Sequence, residues 1–476
     1  MKKYVNIIYI AIFLALLIIP VVTMNNTPGY VSEIDNRALA EFPEPGVDDF
    51  TTGFESYLQD RIGGRNQMVN AYAVLNDKVA GELVHPLYTY GQDGYVFFKV
   101  HNNISYNDFH KTFAESVYKI QQYCEDRGAK FYFLFDPEKI SVYRRYLPEG
   151  VNYNDSWVGE MLSYMDELGV HYIDSTEYLT KLSYSEDVFN VQYDAGHWND
   201  LGCFYATNQL FKRIHEDIPA VNEMDKDMFH ISTSHAETLP VSEFKISEDV
   251  PKFDLKVPFT DLTDEYADEV EVNSNYPHFH YYINNAEGAE NLPRTLLFQG
   301  SYYNRGPQFL INAASECAGV HNYQNVLNVD YYFNIFRPEL VVLDVAEYTV
   351  STSYFDYETM QNLSFNPPLI DCNENAKKQI EVLKKDTDAK EEAVGVSLIS
   401  GDKIDRLTID DELKEAEFAY VLTDDTVIDL KRNADGLFFA DMPHTEDISE
   451  LMLLFRTADG EKFIQPLESS LDEENS

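Results

Sequence analysis

The sequence predicts an α/β protein. A parallel, doubly wound sheet flanked by helices follows an N-terminal transmembrane helix and precedes a small β-sandwich-like domain. Three observations predict this. Strand-like apolar runs alternate with helical repeats from about residue 103 to about residue 350, the pattern of successive β-α-β units. An unbroken apolar run opens the chain. The 476 residues exceed what one core usually organises, and after about residue 389 the pattern changes to short alternating segments.

Lys2 and Lys3 precede an apolar run over residues 4–24 that is long enough to cross a hydrocarbon core. The basic flank is expected to stay cytoplasmic, which leaves the bulk of the chain extracytoplasmic on a single-pass anchor, residues 1–24, in the cell membrane. A cleaved signal peptide is the competing reading. No clear small-x-small cleavage site follows the run, which favours the anchor. Residues 25–85 read as an extracytoplasmic helical neck, with helical spacing from about Phe54 broken at Gly63 and Gly64. In YGQDGYVFF, Asp93 and Gly94 make a turn between two short strands.

Residues 86–365 carry the α/β pattern. Phe109, Phe113, Val117 and Ile120 recur at helical spacing, and Gly128 closes that helix. KFYFLFDP is a buried strand, a helix over about 157–168 stops at Gly169, and VHYIDS is a short strand. Residues 201–214 read as helix, RTLLFQGS as an apolar strand, residues 305–317 as helix and ELVVLDVAEY as another buried strand. Cys124 and Cys317 then sit in apolar helical settings as buried thiols. Residues 216–290 are acidic and interrupted by proline, and read as an insertion or flap with a solvated acidic face. Residues 366–388 form a charged helical linker, and residues 389–470 a small β domain of short strands such as VGVSLIS and LMLLFRT.

Charge and cysteine usage exclude several functions. The 36 basic and 81 acidic residues leave a net charge of −45. Such a surface repels nucleic acid and anionic lipid, and disfavours strongly anionic polymers unless a local cationic site exists. The four cysteines are widely spaced and form no C-x-x-C, so neither a zinc ribbon nor a thioredoxin-like site is indicated. No EF-hand spacing occurs among the clustered carboxylates. No metal or other cofactor is expected.

One constellation can carry chemistry. A nucleophilic serine needs a base to take its proton, a third group to orient that base, and donors for an oxyanion. Ser301 follows the strand TLLFQ and Gly300, which permits a sharp turn at the strand tip. A helix after it would aim backbone N–H groups at developing negative charge. In YDAGHWNDLG, Asp194 and His197 can supply the orienting carboxylate and the base, with Trp198 shielding them from water. Asn199 suits the cap of the helix that follows.

With these residues in place, the chain resembles the exported SGNH-hydrolase-like proteins of polysaccharide O-acetylation, the alginate acetylation proteins and the Asp-His-His-Trp family among them. EIDNRALAEFPEP with FESYLQDRIGGRN resembles the family's opening segment, and YGQDGYVFF its Gly-x-Asp-Gly-Trp-Leu-Phe element. FDPEKISVYRRYLP resembles its strand-end Pro-x-Lys followed by Tyr and Leu-Pro. DAGHWNDLG stands where the family keeps its Asp–His pair, FQGSYYNRG where it keeps Gly-Asp-Ser, and RPELVVLDVAEY resembles its Pro-Asp-x-Val-Val strand. The chain departs from the pattern at three places. Ala195 and Gly196 separate the Asp and His where one residue is common, Gly300 after Gln299 stands where Asp is typical, and Glu347–Tyr348 replaces Glu-Arg.

The resemblance implies an SGNH-like sheet and acyl transfer. Ser301 would take an acetyl group supplied by a membrane-bound acyltransferase partner and pass it to a hydroxyl of an exported polysaccharide. His197 would act as general base and then acid, with Asp194 orienting it. Backbone N–H groups at Ser301 and just after it would hold the oxyanion, with Asn304 and Arg305 as lesser candidates; Trp198, Asn304 and Arg305 would contact substrate, while Lys139 braces the loop. A carbohydrate esterase using the same triad, or a decayed glycan-binding surface protein, are the alternatives. The C-terminal domain reads equally as a carbohydrate-binding module or a spacer.

Overall fold

The computed structural model describes residues 2–32, 37–43, 50–85, 87–99, 104–240, 242, 244–304, 306–372, 374–386, 388–389, 394–445 and 447–469. Seven strands make its central sheet: β1 (Lys130–Asp136), β2 (Tyr172–Asp174), β3 (Phe259–Asp261), β4 (Phe279–Asn284), β5 (Arg294–Gln299), β6 (Glu316–His321) and β7 (Leu340–Ala346). Their order is β2-β1-β7-β5-β6-β4-β3. The first five run parallel, while β4 and β3 extend one edge in antiparallel pairing.

The parallel strands are apolar on both faces because helices cover both. Phe131, Phe133 and Phe135 of β1 enter one core with α1 (Asp108–Glu125), α2 (Ser156–Leu168) and α4 (Val329–Phe336). Tyr132 and Leu134 point the other way, into a core completed by α3 (Asp200–Asp217). Each of those phenylalanines is fully buried, worth about 1.5–3 kcal/mol apiece. The helix ends follow their sequence signals. The Asn107 side chain accepts from the Phe109 amide to start α1, Asn199 accepts from the Gly202 amide at 3.0 Å to start α3, and Gly169 closes α2 with φ of 83°.

Two expectations are corrected here. Only a single turn, Gln308–Ile311, is helical within residues 305–317. Gly306 and Pro307 break the chain before it, and Cys317 lies in β6, not in a helix, because residues 316–321 pair in parallel register with β5. Long-range pairing overrides the local helical spacing. Residues 216–290 also do more than form a flap. They supply an antiparallel hairpin, Phe229–Thr238 with Lys245–Leu255, and also β3 and β4. His280 of β4 packs so tightly on β6 that a Cβ at Gly319 would sit 2.1 Å from its ring.

The C-terminal strands close into a ring of seven where the sequence suggested a sandwich. The ring runs Lys462–Ser469, Val394–Ser400, Ile404–Ile409, Phe438–Pro443, Val427–Arg432, Ala416–Leu422 and Met452–Thr457, and the last pairs back to the first. Period-two patterning is the same in both architectures; closure needs the long-range pairing of Val394 with Leu467 and gives each of the seven ring strands a partner on both sides. The charged helix Ala376–Asp386 packs Ile380 on the outside of the ring. Buried Asp429 ties the ring to the α/β domain, accepting from the Tyr123 hydroxyl at 2.7 Å and from Arg127 Nε at 2.9 Å.

At the other end, the helix Lys2–Val22 contains one stretch, Tyr4–Val22, long and apolar enough to cross a membrane. This is compatible with a signal anchor or a signal sequence. Two helices, Phe50–Arg61 and Arg65–Ala80, form the neck. The Gly63 amide between them donates to the Pro20 carbonyl at 2.8 Å.

Candidate active site

The C-terminal ends of β1, β5 and β7 and the loop before α3 meet at one place. Asp194 sits in that loop with φ of +61°, a backbone conformation that Asp tolerates better than most residues. This turn lets its carboxylate accept from the amides of Gly196 at 3.2 Å and His197 at 3.0 Å. The same carboxylate meets His197 Nδ1 at 2.9 and 3.0 Å. Burial alone would raise its pKa. The His197 ring, its hydrogen bond and the two amides outweigh this and hold Asp194 at about 2. An ionised Asp194 accepts the Nδ1 proton, which leaves Nε2 free to accept another.

That other proton belongs to Ser301, whose Oγ lies 2.8 Å from His197 Nε2. Ser301 is on the turn just beyond β5. Gly300 donates its amide to Asp344 Oδ2 at 2.7 Å, and a Cβ there would crowd Asp344 at 3.1 Å and Asn322 at 3.3 Å. A side chain here would require Asp344 or Asn322 to shift by a few tenths of an ångström. Gln299 donates to Asn304 Oδ1 at 3.0 Å and pins the far side of the turn. Among the described residues, the Ser301 and Tyr302 amides have no protein acceptor. They are unengaged donors on the turn that carries the hydroxyl. No long helix follows, since only residues 308–311 are helical.

Beneath the turn lies a pair of fully buried carboxyls, Asp136 and Asp344. No N–H or O–H donor meets either Asp136 oxygen. Burial and the facing Asp344 charge therefore keep a proton on Asp136, which it can donate to Asp344. Asp344, raised to about 6 by burial, still accepts the Gly300 amide. A second acidic pair lies beside the first. Glu347 accepts from the Glu138 amide at 3.0 Å, from Ser141 Oγ at 2.7 Å and from the Tyr153 hydroxyl at 2.7 Å. Glu138 has no such set of donors, and burial followed by the Glu347 charge raises it to about 8.

The 194–197 loop is clamped from two sides. Lys139 is buried and donates from Nζ to the carbonyls of Val96 at 2.8 Å, Val191 at 3.0 Å and Asp194 at 3.4 Å. Burial lowers it to about 7, against the pull of Asp194 and Glu248. Glu248, on the hairpin, accepts from the amides of Val191 at 2.6 Å, Gln192 at 2.9 Å and Tyr193 at 2.6 Å.

The remaining sequence-selected residues fall as follows. Trp198 is buried, edge-on to Tyr302 and Tyr303 at 4.9 and 5.9 Å. Asn304 is exposed on the turn after Ser301, and Arg305 lies outside the described residues. A cleft of about 360 Å³ opens between the loop, the Ser301 turn and the hairpin, lined by Asp194, His197, Trp198, Ser301, Asn304 and Lys252. Among the described residues no group of three or more His, Cys, Asp or Glu is placed to hold a metal.

The sequence marks Tyr348 only as a departure from the family pattern and gives it no role; its hydroxyl lies 2.6 Å from Ser301 Oγ. Its position two residues past β7, the strand beside β5, was the available signal. Sequence reasoning passed over Glu248 and the Asp136–Asp344 pair, which no local pattern marks.

The sequence matches no protein-family model and no curated protein sequence. Among solved structures the chain is similar to Bacillus cereus PatB1 with a sulfonyl adduct, at 17% identity and a TM-score of 0.44 over 55% of this chain and 95% of that one. It is also similar to the O-acetyltransferase domain of Pseudomonas putida AlgJ, at 14% identity and a TM-score of 0.40 over 58% and 99%. A third similar structure is a DHHW family protein from Eubacterium siraeum, at 12% identity and a TM-score of 0.42 over 58% and 94%.

Proposed function

We propose that this chain is a membrane-anchored, extracytoplasmic O-acyltransferase that places acetyl groups on hydroxyls of an exported polysaccharide through Ser301, His197 and Asp194. The observation that carries the reading is the continuous relay from Ser301 Oγ through both nitrogens of His197 to a carboxylate held ionised. The motif resemblance in the sequence supports the choice of acyl chemistry and of a glycan acceptor.

The steps balance without a cofactor. Ser301 Oγ attacks the donor carbonyl as Nε2 takes its proton, and the oxyanion is met by the Ser301 and Tyr302 amides. His197 returns the proton to the departing oxygen of the donor, leaving acetyl-Ser301. A sugar hydroxyl then gives its proton to Nε2 and attacks the ester. The tetrahedral adduct collapses to the sugar acetate, and Ser301 recovers the proton. The acetyl donor is carried by a membrane-bound acyltransferase partner, which the N-terminal anchor keeps close. Trp198 and Asn304 line the cleft and meet substrate there, and the motif resemblance assigns Arg305 a substrate contact as well.

Water in place of the sugar would make the same site an esterase. Incubating the protein with a small acetyl ester and an oligosaccharide tests both outcomes: acetyl on sugar supports transfer, and free acetate alone supports hydrolysis. Full turnover by Ser301→Ala would overturn both enzymatic readings of this triad, and a parent protein that turns over no ester would leave the decayed, glycan-binding one.

A further inference from the structure

A succession of aromatic rings leaves the site on the side away from the cleft. The Tyr348 ring stands edge-on to His197 at 6.3 Å. Tyr354 lies 6.0 Å beyond it, Tyr323 4.6 Å from Tyr354, and Tyr276 4.7 Å from Tyr323. Tyr276 stacks flat on His321 at 5.0 Å and 26°. Tyr323 and His321 are buried, whereas Tyr276, Tyr348 and Tyr354 are half-buried. Three different segments supply these rings, and all of them lie at the strand ends that carry Ser301. Amide side chains are interleaved with them. Gln324 donates to the Tyr354 carbonyl at 3.0 Å, and Asn325 donates to the His321 carbonyl at 2.8 Å and accepts from the Asn273 amide at 2.9 Å.

We propose that Tyr348, Tyr354 and Tyr276 form a track on which an uncharged glycan lies as the acyl acceptor, with one of its hydroxyls delivered to Ser301. This inference deepens the reading of Ser301 as the acyl-carrying residue and rests on it. A pyranose presents C–H bonds on its faces and hydroxyls at its edge. Half-buried rings bordered by amides and phenols match both. Among the described residues the track carries no lysine or arginine, and the chain as a whole has a net charge of −45. The lining adds no fixed charge of its own. Burial, reinforced by His278, lowers His321 to about 4, and Glu138, the acid that faces Tyr348 and Tyr354, is raised to about 8. An anionic polymer would lose its hydration here and gain no counter-charge.

The test uses the full chain in two arms. In the first, neutral oligosaccharides (cello-, xylo- and N-acetylated chito-hexamers) and oligogalacturonate are titrated against intrinsic fluorescence. Saturable binding of a neutral oligomer, weakened about 10-fold in Tyr276→Ala and Tyr354→Ala, is expected. Equal or tighter binding of oligogalacturonate, or binding that both variants keep, would overturn the track. In the second arm, a small acetyl ester is turned over with the neutral oligomer present, and the ratio of acetylated sugar to free acetate is read. Because both products come from the same folded molecules, the ratio does not depend on how much of a variant folds. A fall of about 10-fold in both variants is expected. An unchanged ratio would overturn the track while leaving Ser301 chemistry intact. A wild-type protein that binds the oligomer but turns over no ester would instead overturn the acyl-transfer reading.

Discussion

The Tyr348 hydroxyl lies 2.6 Å from the Ser301 hydroxyl, which also meets His197 Nε2 at 2.8 Å. Serine has one proton for these two contacts. If that proton points at His197, Tyr348 must donate to Ser301. Burial pushes the Tyr348 phenol well above its ordinary range, so it keeps the proton it would donate. Tyr348 therefore fixes the serine rotamer that His197 can deprotonate. Tyr348→Phe keeps the ring and removes this bond together with the hydroxyl's bond to Tyr323, and should lower kcat for a small acetyl ester by about 10-fold with little change in KM. Steady-state kinetics check this; an unchanged kcat would remove Tyr348 from the reaction.

Asp194→Asn should be far more costly. The amide cannot stabilise a charged imidazolium and can favour the wrong tautomer, so a loss on the order of 10⁴-fold in kcat is expected. Combining it with Ser301→Ala should add little, because the residues act as one unit. Additive losses in the double variant would argue against a shared relay.

Glu248 is on the hairpin, outside the relay, yet its carboxylate holds three consecutive amides of the segment leading to Asp194. Glu248→Ala should cost about 1–3 kcal/mol locally. Hydrogen exchange should accelerate at Val191, Gln192 and Tyr193 before other parts of the sheet, and kcat should fall. Unchanged protection at those three amides would show that the hairpin does not brace the loop.

Glu138 makes stability depend on pH in a direction that can be stated. Its folded pKa is raised from the ordinary 4.5 to about 8, so between these values the folded state binds more protons than the unfolded state. Its contribution is complete below the ordinary value and is lost as pH rises towards about 8. Glu138→Gln mimics the protonated form. The variant should match the parent in thermal midpoint in mild acid and become the more stable of the two as pH approaches about 8. A constant difference across that range would place the charge elsewhere.

Much of this architecture was legible because it is written locally. The phenylalanines of β1 and the valines of β7 declare buried strands within seven residues each. Asn199 and Gly169 mark helix ends through their own backbone chemistry. Asp194 and His197 are three positions apart, so one tight turn brings them together. Residues 305–317 were misread for the complementary reason. Their apolar spacing suits a helix, and only pairing with β5 reveals that Cys317 belongs to a strand.

By itself, then, the sequence determined the alternation of strands and helices, the apolar N-terminal helix, and three residues whose chemistry is complementary. Tertiary structure alone decided that Ser301 meets His197 across 104 positions of chain, that Tyr348 joins them from 47 positions further on, and that the last strands close into a ring. Strand order and register arise from the burial of whole faces at once. A residue's neighbours across the sheet are set by that collective packing, which no short stretch of sequence encodes.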